Sequence, residues 1–164
     1  MPDGPDWRWA KAQGVQESGL DPAICSGAGA CGIMQIMPAT WTEICRALGW
    51  RDVSRRSAPH SIFGGTYYQA RMDRIWWRGR TIAERHALGL ASYNAGPGSI
   101  LAAQAACGGA RLWPGIASCL AAVTGAANAR QTTDYVRNIG RWRMAIKGCR
   151  WRGHRGGCAP GGWT

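Results

Sequence analysis

Four short segments carry the residues whose types and spacing could do chemistry. They are Gln16 to Pro22 (QESGLDP), Gly29 to Thr40 (GACGIMQIMPAT), Ala91 to Gly98 (ASYNAGPG) and Asp134 to Arg137 (DYVR). Glu17 is a candidate acid–base group, because a glutamic acid shielded from water stays protonated near neutral pH and can donate its proton. Met34 or Met37 could supply the apolar wall that shields it.

Other acids are few, with 9 Asp and Glu in 164 residues. Several of them have a different predicted role: helix capping for Glu43 and Glu84, pairing with neighbouring arginines for Asp52 and Asp73, and a turn before Pro22 for Asp21. Glu17 has no such role predicted from pattern, and taken on its own it could equally be an ion-pair partner for one of the many arginines.

Helices separated by glycine-rich turns must position these residues. Thr40-Trp-Thr-Glu43 and Thr81-Ile-Ala-Glu84 match the capping box, in which a threonine oxygen and a glutamate carboxylate satisfy exposed N–H groups. Helices are therefore predicted to begin near residues 41 and 82. A short first helix is predicted to begin near Pro5 and Asp6 and to end over Val15 to Gly19.

Apolar stripes predict two further helices. In the first stripe the apolar residues are Tyr68, Met72, Ile75 and Trp76, with Arg71, Arg74 and Arg78 on the other side. In the second they are Tyr135, Ile139, Trp142 and Ile146, with Arg137, Arg141 and Lys147 turned elsewhere. No sustained β alternation competes, although the glycines of Cys25 to Ile36 leave room for a small β-hairpin. The predicted class is mainly α, in one compact domain.

Seven cysteines without a CxxC pair favour disulfides over a zinc ribbon. Local pairings would be Cys25–Cys31, Cys107–Cys119 and Cys149–Cys158, leaving Cys45 single, but sequence alone does not fix the connectivity. The nearest approach to a metal site is Cys149, His154 and Cys158, which lacks a fourth ligand. No metal is therefore predicted.

A formal charge of +11 makes an anionic partner the expectation: nucleic acid, lipid headgroups or an acidic envelope polymer. Residues 149–164 form a basic tail rich in Arg, Trp and Gly, which could dock on an anionic surface or be a solvated terminus. Ten tryptophans beside one phenylalanine suit half-wet surfaces, while Trp41, Trp76 and Trp142 are assigned to the core. No apolar run is long enough to span a bilayer, and Met1 to Ala10 lacks the pattern of a secretory signal.

In order and spacing, the four segments resemble the motifs of the soluble lytic transglycosylase family of the lysozyme superfamily. ESGLDP, GIMQIMPAT, ASYNAGPG and a late tyrosine form a specific ordered set that extends from about Asp6 to Ile146. The resemblance implies a lysozyme-like helical fold over residues 1–148 and cleavage of the β-1,4 bond between N-acetylmuramic acid and N-acetylglucosamine in peptidoglycan. It implies no cofactor.

The resemblance also assigns roles to single residues. Glu17 matches the only catalytic carboxylate, which protonates the glycosidic oxygen and then takes the proton of the muramic acid 6-hydroxyl. Tyr93 and Tyr135 match tyrosines that assist it. The remaining substrate-binding candidates are Ser18 of the ES motif, Ser26, Gly32 with its close backbone approach to the glycan, Gln35, Met37 in the sugar cleft, and Asn94.

One carboxylate is chemically sufficient for such a reaction. Ordinary glycosidases need a second carboxylate to serve as nucleophile or to activate water. A hydroxyl of the substrate that is held beside the anomeric carbon replaces water by proximity. The product would be a 1,6-anhydro sugar.

Two alternatives compete with this interpretation. A muramidase of goose-lysozyme type would use water and differ only in product. A non-catalytic cationic protein that binds cell walls or disrupts membranes would explain the charge and the tail, but not the motifs around Glu17, Gln35 and Tyr93. Nucleic-acid binding ranks last, because the basic residues are dispersed and no recognised module is present.

The expected setting is the bacterial cell wall or periplasm, with the protein acting as a monomer. The absence of a leader and of accessory domains suits a bacteriolytic, antimicrobial phage endolysin that accumulates in the host cytoplasm and is released by a holin. A mature exported bacterial enzyme would have a similar length.

Overall fold

The computed structural model describes residues 7–146, and over this range the chain is helical. Its eight helices are α1 (Trp7–Ser18), α2 (Pro38–Leu48), α3 (Ala58–Ile75), α4 (Ile82–Ala95), α5 (Pro97–Ala106), α6 (Trp113–Ala117), α7 (Leu120–Thr124) and α8 (Ala126–Ala145). The mainly α prediction is confirmed. In place of a hairpin, residues 25–36 form two isolated antiparallel bridges, Cys25 with Cys31 and Cys31 with Ile36.

The two predicted capping boxes have different outcomes. At α4, Thr81 N–H donates to Glu84 at 2.6 Å and Glu84 N–H donates to the Thr81 side chain at 3.3 Å, as predicted. The box at Thr40 is wrong, because α2 begins at Pro38, whose fixed φ suits the first helical position. Glu43 instead lies 3.5 Å from Arg71 on α3.

Both apolar stripes contribute to the core, with one exception. Met72 and Trp76 are buried, but Ile75 at the last position of α3 is 41% exposed, so its assignment to the core is wrong. On α8, Tyr135 and Ile139 are buried, and Trp142 and Ile146 pack beside them. Trp41 and Trp76 are buried as predicted, and Trp142 is half-buried.

Three groups of buried residues form the core. One lies between α3, α4, α5 and the short helices that follow, one joins the 31–36 loop to α2 and α3, and one joins α1 to α4 and α8. A Cβ at Gly65 of α3 would overlap the Met34 side chain, so this glycine lets the 31–36 loop pack directly on the helix. The packing of α1 on α8 brings the first and last described helices together.

The structure contains the two predicted disulfides that fall within it, Cys25–Cys31 and Cys107–Cys119. Cys45 is free, as expected. The predicted Cys149–Cys158 pair, the start of the first helix at Pro5 and Asp6, and the basic tail lie outside the described residues. Within residues 7–146, no helix is both long and apolar enough to cross a membrane.

Candidate active site

Glu17 lies in the last turn of α1, half-buried against the last long helix. The Tyr135 hydroxyl of α8 donates a hydrogen bond to its Oε1 at 2.6 Å. Burial raises the pKa of Glu17 to about 7, although the hydrogen bond from Tyr135 acts in the opposite direction. At neutral pH both the acid and the carboxylate are therefore populated, which suits a group that first donates and then accepts a proton.

Two phenols accompany this carboxyl. Tyr93 on α4 donates to the Met34 carbonyl at 2.8 Å, and its ring meets the edge of Tyr68 with centroids 5.4 Å apart. Burial and the charge of Glu17 raise the pKa values of Tyr93 and Tyr135 well above the ordinary value. Both hydroxyls therefore stay protonated, and Tyr93 donates its proton to the Met34 carbonyl while Tyr135 donates its proton to Glu17.

The 31–36 loop is fixed to the surrounding helices through its backbone. Ser18 Oγ donates to the Ile33 carbonyl at 3.0 Å, and Met34 N–H donates to Ser61 Oγ at 3.1 Å. Gln35, at φ +43°, donates its Nε2 to the carbonyls of Ile24 and Gly32, each at 3.0 Å. The polar groups of Ser18 and Gln35 thus hold the loop beside Glu17.

Gly32 has an intramolecular reason to be glycine. Its φ is +79°, and a Cβ there would overlap the Arg55 carbonyl and lie 2.8 Å from Ser61 Oγ. The close approach is therefore made by the protein's own backbone, whereas contact with a glycan stays a prediction. Ser26 is exposed in the disulfide loop, where its Oγ accepts from Ala30 N–H at 3.1 Å.

The remaining predicted residues lie on α4 and at the start of α2. Asn94 Oδ1 accepts a hydrogen bond from Thr132 at 2.9 Å, which links α4 to α8. Met37 precedes α2 and is 42% exposed, whereas Met34 is fully buried. Met37 is thus the methionine open to an incoming ligand, and Met34 is part of the core.

Sequence reasoning missed two neighbours of the site. Tyr68 was assigned only to the core stripe, yet its ring packs against Tyr93. Gln13 was not singled out, yet its Nε2 donates to the Tyr135 hydroxyl at 3.1 Å. A signal for Gln13 was present, because residues four apart in a helix share a face and Gln13 is four residues before Glu17.

The raised pKa of Glu17 predicts a specific dependence of stability on pH. Its folded value of about 7 exceeds the ordinary value of 4.5, so the folded state binds the proton more tightly than the unfolded chain. The free energy of unfolding should therefore fall as pH rises through this window, by about 3 kcal/mol in total. Urea unfolding of the wild type and Glu17→Gln at pH 5 and pH 8 measures the effect, and parallel pH dependences would contradict it.

The structure is a helical domain whose candidate site contains one glutamate, Glu17. Tyr135 donates a hydrogen bond to this glutamate, and the 31–36 loop lies beside it. Residues 4–111 match the transglycosylase SLT domain family, so the chain belongs to that family. Tyr135 lies beyond the matched residues.

Solved structures share the fold. The 70 kDa soluble lytic transglycosylase from Escherichia coli is 24% identical with a TM-score of 0.66, over 90% of this chain and 23% of that one. A complex of the 70 kDa soluble lytic transglycosylase with bulgecin A gives 23% identity and a TM-score of 0.69, over 90% of this chain and 22% of that one. This chain thus spans less than a quarter of the length of the proteins it resembles.

Proposed function

We propose that this protein is a peptidoglycan lytic transglycosylase, a lyase that cleaves the β-1,4 bond between N-acetylmuramic acid and N-acetylglucosamine. The observation that carries the proposal is Glu17 itself: a half-buried glutamate with a pKa of about 7, bound by Tyr135, in a chain of the SLT domain family. The similar solved structures are soluble lytic transglycosylases, which supports the proposal.

The proposed reaction needs only Glu17 and the substrate. Protonated Glu17 donates its proton to the glycosidic oxygen as the bond to the anomeric carbon of the muramic acid breaks. The 6-hydroxyl oxygen of the same sugar then bonds to that carbon, and the Glu17 carboxylate takes the hydroxyl proton. The enzyme is regenerated in its acid form, and the products are a 1,6-anhydro end and a free N-acetylglucosamine hydroxyl.

The positions of the other described acids support a scheme with one carboxylate. Asp21 accepts from Ala23 N–H in a turn, and the remaining pairs are Glu43 with Arg71, Asp73 with His86, Glu84 with Thr81, and Asp134 with Arg137. Asp52 is exposed. Each of the paired carboxylates is therefore engaged in a structural contact.

The glycan is proposed to lie along the exposed side of the loops that flank Glu17. Of the residues predicted to bind substrate, Met37 and Ser26 are exposed on these loops. Tyr93 and Asn94 on α4 are proposed to line the same surface, since the Tyr93 hydroxyl contacts the loop at the Met34 carbonyl. Ser18, Gly32 and Gln35 shape this surface from within, through the backbone contacts described above.

Mass spectrometry of the soluble fragments released from purified peptidoglycan tests the reaction. We expect muramic acid ends that are lighter by one water than a reducing sugar. Reducing ends alone would overturn the proposal in favour of a hydrolytic muramidase. No release with retained wall binding would favour a binding protein.

The biological setting is proposed to be degradation of a bacterial cell wall, either by a phage endolysin or by an exported bacterial enzyme. The basic tail at 149–164 would help the protein reach an anionic outer membrane. A protein truncated after Gly148 should digest purified peptidoglycan as the full chain does, but should lyse intact Gram-negative cells less. Equal lysis of intact and of permeabilised cells by both proteins would contradict a role for the tail.

A further inference from the structure

A chain of buried hydrogen bonds runs from Glu17 into the interior of the protein. Tyr135, which donates to Glu17, accepts from Gln13 Nε2 at 3.1 Å, and the same amide donates to Gln69 Oε1 at 3.2 Å. Gln69 Nε2 donates in turn to Asp73 Oδ1 at 2.7 Å. Gln13 and Gln69 are 1% and 5% exposed, so these bonds lie inside the protein.

Asp73 ends this chain with a charged group. Its Oδ2 lies 2.9 Å from His86 Nδ1 on α4, and its side chain is 18% exposed. It also borders a cavity of about 90 Å³ between α1, α3 and α4. Asp73 Oδ1 is the acceptor in its bond with Gln69, because an amide nitrogen can only donate.

An acceptor at the end of the chain fixes the direction of each bond in it. Gln69 must turn its NH₂ group to Asp73, which leaves its carbonyl oxygen facing Gln13. Gln13 must then present its NH₂ group, and its second N–H donates to the Tyr135 oxygen. Because that oxygen already accepts from Gln13, the single hydroxyl proton of Tyr135 is directed at Glu17.

Gly89 makes room for the charged end of the chain. A Cβ at this position in α4 would overlap Asp73 Oδ1 and would lie 2.8 Å from Gln69 Nε2. Glycine inside a helix is destabilising relative to alanine. Its presence between Leu88 and Leu90 is explained by the carboxylate that α3 places against it.

From this geometry we infer that Gln13, Gln69 and Asp73 are positioning residues. Through hydrogen bonds of fixed direction, they keep the Tyr135 hydroxyl donating to Glu17. The inference rests on the proposed function for its catalytic meaning. The hydrogen bond stabilises the Glu17 carboxylate, the form that must take the proton of the sugar hydroxyl. Breaking the chain at Gln69 therefore destabilises that form without changing any residue that lines the proposed glycan surface.

The test measures the titration of Glu17 directly. Protein labelled with ¹³C at the glutamate side-chain carboxyl gives signals from Glu17, Glu43 and Glu84, the three glutamates of the chain, and Glu17→Gln assigns the first. The titratable groups that face Glu17 among the described residues are Tyr135 of α8 and Tyr93 of α4. Both remain neutral in the range of interest, so the Glu17 signal reports its own ionisation.

Gln69→Met keeps the length of the buried side chain and removes both amide contacts. We expect it to move the midpoint of the Glu17 titration upward by about one pH unit or less. Tyr135→Phe should move the midpoint in the same direction. In the double variant Tyr135→Phe/Gln69→Met, the midpoint should equal that of Tyr135→Phe alone, since both act through one hydroxyl. An unchanged midpoint in Gln69→Met, or a further shift in the double variant, would overturn the inference.

Two more variants separate this effect from a loss of packing. Gly89→Ala displaces Asp73 without altering any member of the chain, and should raise the same midpoint. Ser92→Ala removes a buried hydrogen bond from Trp76 Nε1, 2.9 Å long, that is not part of the chain, and should leave the midpoint unchanged. A shift in Ser92→Ala equal to that in Gly89→Ala would mean that general loosening is the cause.

Activity separates this inference from the proposed function. If the wild type releases no anhydro ends, the proposed function fails, while the titration still decides whether the chain acts on Glu17. If it does release them, Gln69→Met should lower kcat several-fold with KM unchanged, because Gln69 is buried away from the substrate. An unchanged kcat beside a shifted midpoint would overturn the positioning role.

Discussion

Glu17→Gln should reduce the release of anhydro ends from peptidoglycan by about 10²- to 10⁴-fold, the usual contribution of a positioned general acid–base group. A glutamine amide cannot donate the proton that the leaving oxygen needs, but its carbonyl can still accept the hydrogen bond from Tyr135. The variant should therefore stay folded and bind the wall. Assays with purified peptidoglycan, together with wall sedimentation, separate catalysis from binding.

The chain offers matched controls for this variant. Glu43→Gln changes a glutamate that is exposed and pairs with Arg71, and Glu84→Gln changes one in a capping box. Both should retain activity, and Glu84→Gln should keep its helix cap, because a glutamine at this position also satisfies the capping box. A Glu17→Gln protein that killed cells as the wild type does would indicate a membrane-disrupting protein.

Tyr135→Phe should give the second large effect, a loss of about 10- to 100-fold in kcat, the range expected for a hydrogen bond to a charged group. Without the hydroxyl, the Glu17 carboxylate loses the donor that opposes the effect of burial on its pKa. The pKa of Glu17 should rise above about 7, and the pH profile of kcat should shift upward with it. Initial rates between pH 5 and pH 9 measure the shift.

Tyr67→Phe is the comparison for the tyrosine. Tyr67 is half-buried against the core that joins the 31–36 loop to α2 and α3, and is not among the proposed site residues. Its removal should leave both the rate and the pH profile unchanged. If Tyr135→Phe behaved in the same way, the 2.6 Å contact with Glu17 would have no catalytic role.

Residue patterns within single helices predicted much of this fold. The stripe at Tyr135 and Ile139, the box at Thr81 and the buried Trp76 all depend on contacts repeated every few residues, which a sequence displays directly. The error at Thr40 has a local cause too, since Pro38 starts the helix three residues earlier than the box would. The assignment of Ile75 to the core is wrong because α3 ends at this residue and its side chain is exposed to solvent.

Contacts between segments that are distant in the sequence could not be predicted from residue patterns. Gln13 meets Gln69 across 56 residues and Tyr135 across 122, and no spacing rule connects amides so far apart. Asp73 was assigned to neighbouring arginines, whereas the structure pairs it with His86 and Gln69. The roles of Glu17 and Tyr135 could be assigned only because their motifs resemble those of a known family.

The pairing of Glu17 with Tyr135 joins residues separated by 118 positions, on the first and last described helices. During synthesis on the ribosome, Glu17 therefore emerges long before its hydrogen-bond donor. A nascent chain that has completed the family-matched residues 4–111 still lacks α8 and the hydroxyl it carries. The hydrogen bond between Tyr135 and Glu17 therefore forms only after α8 has been synthesised.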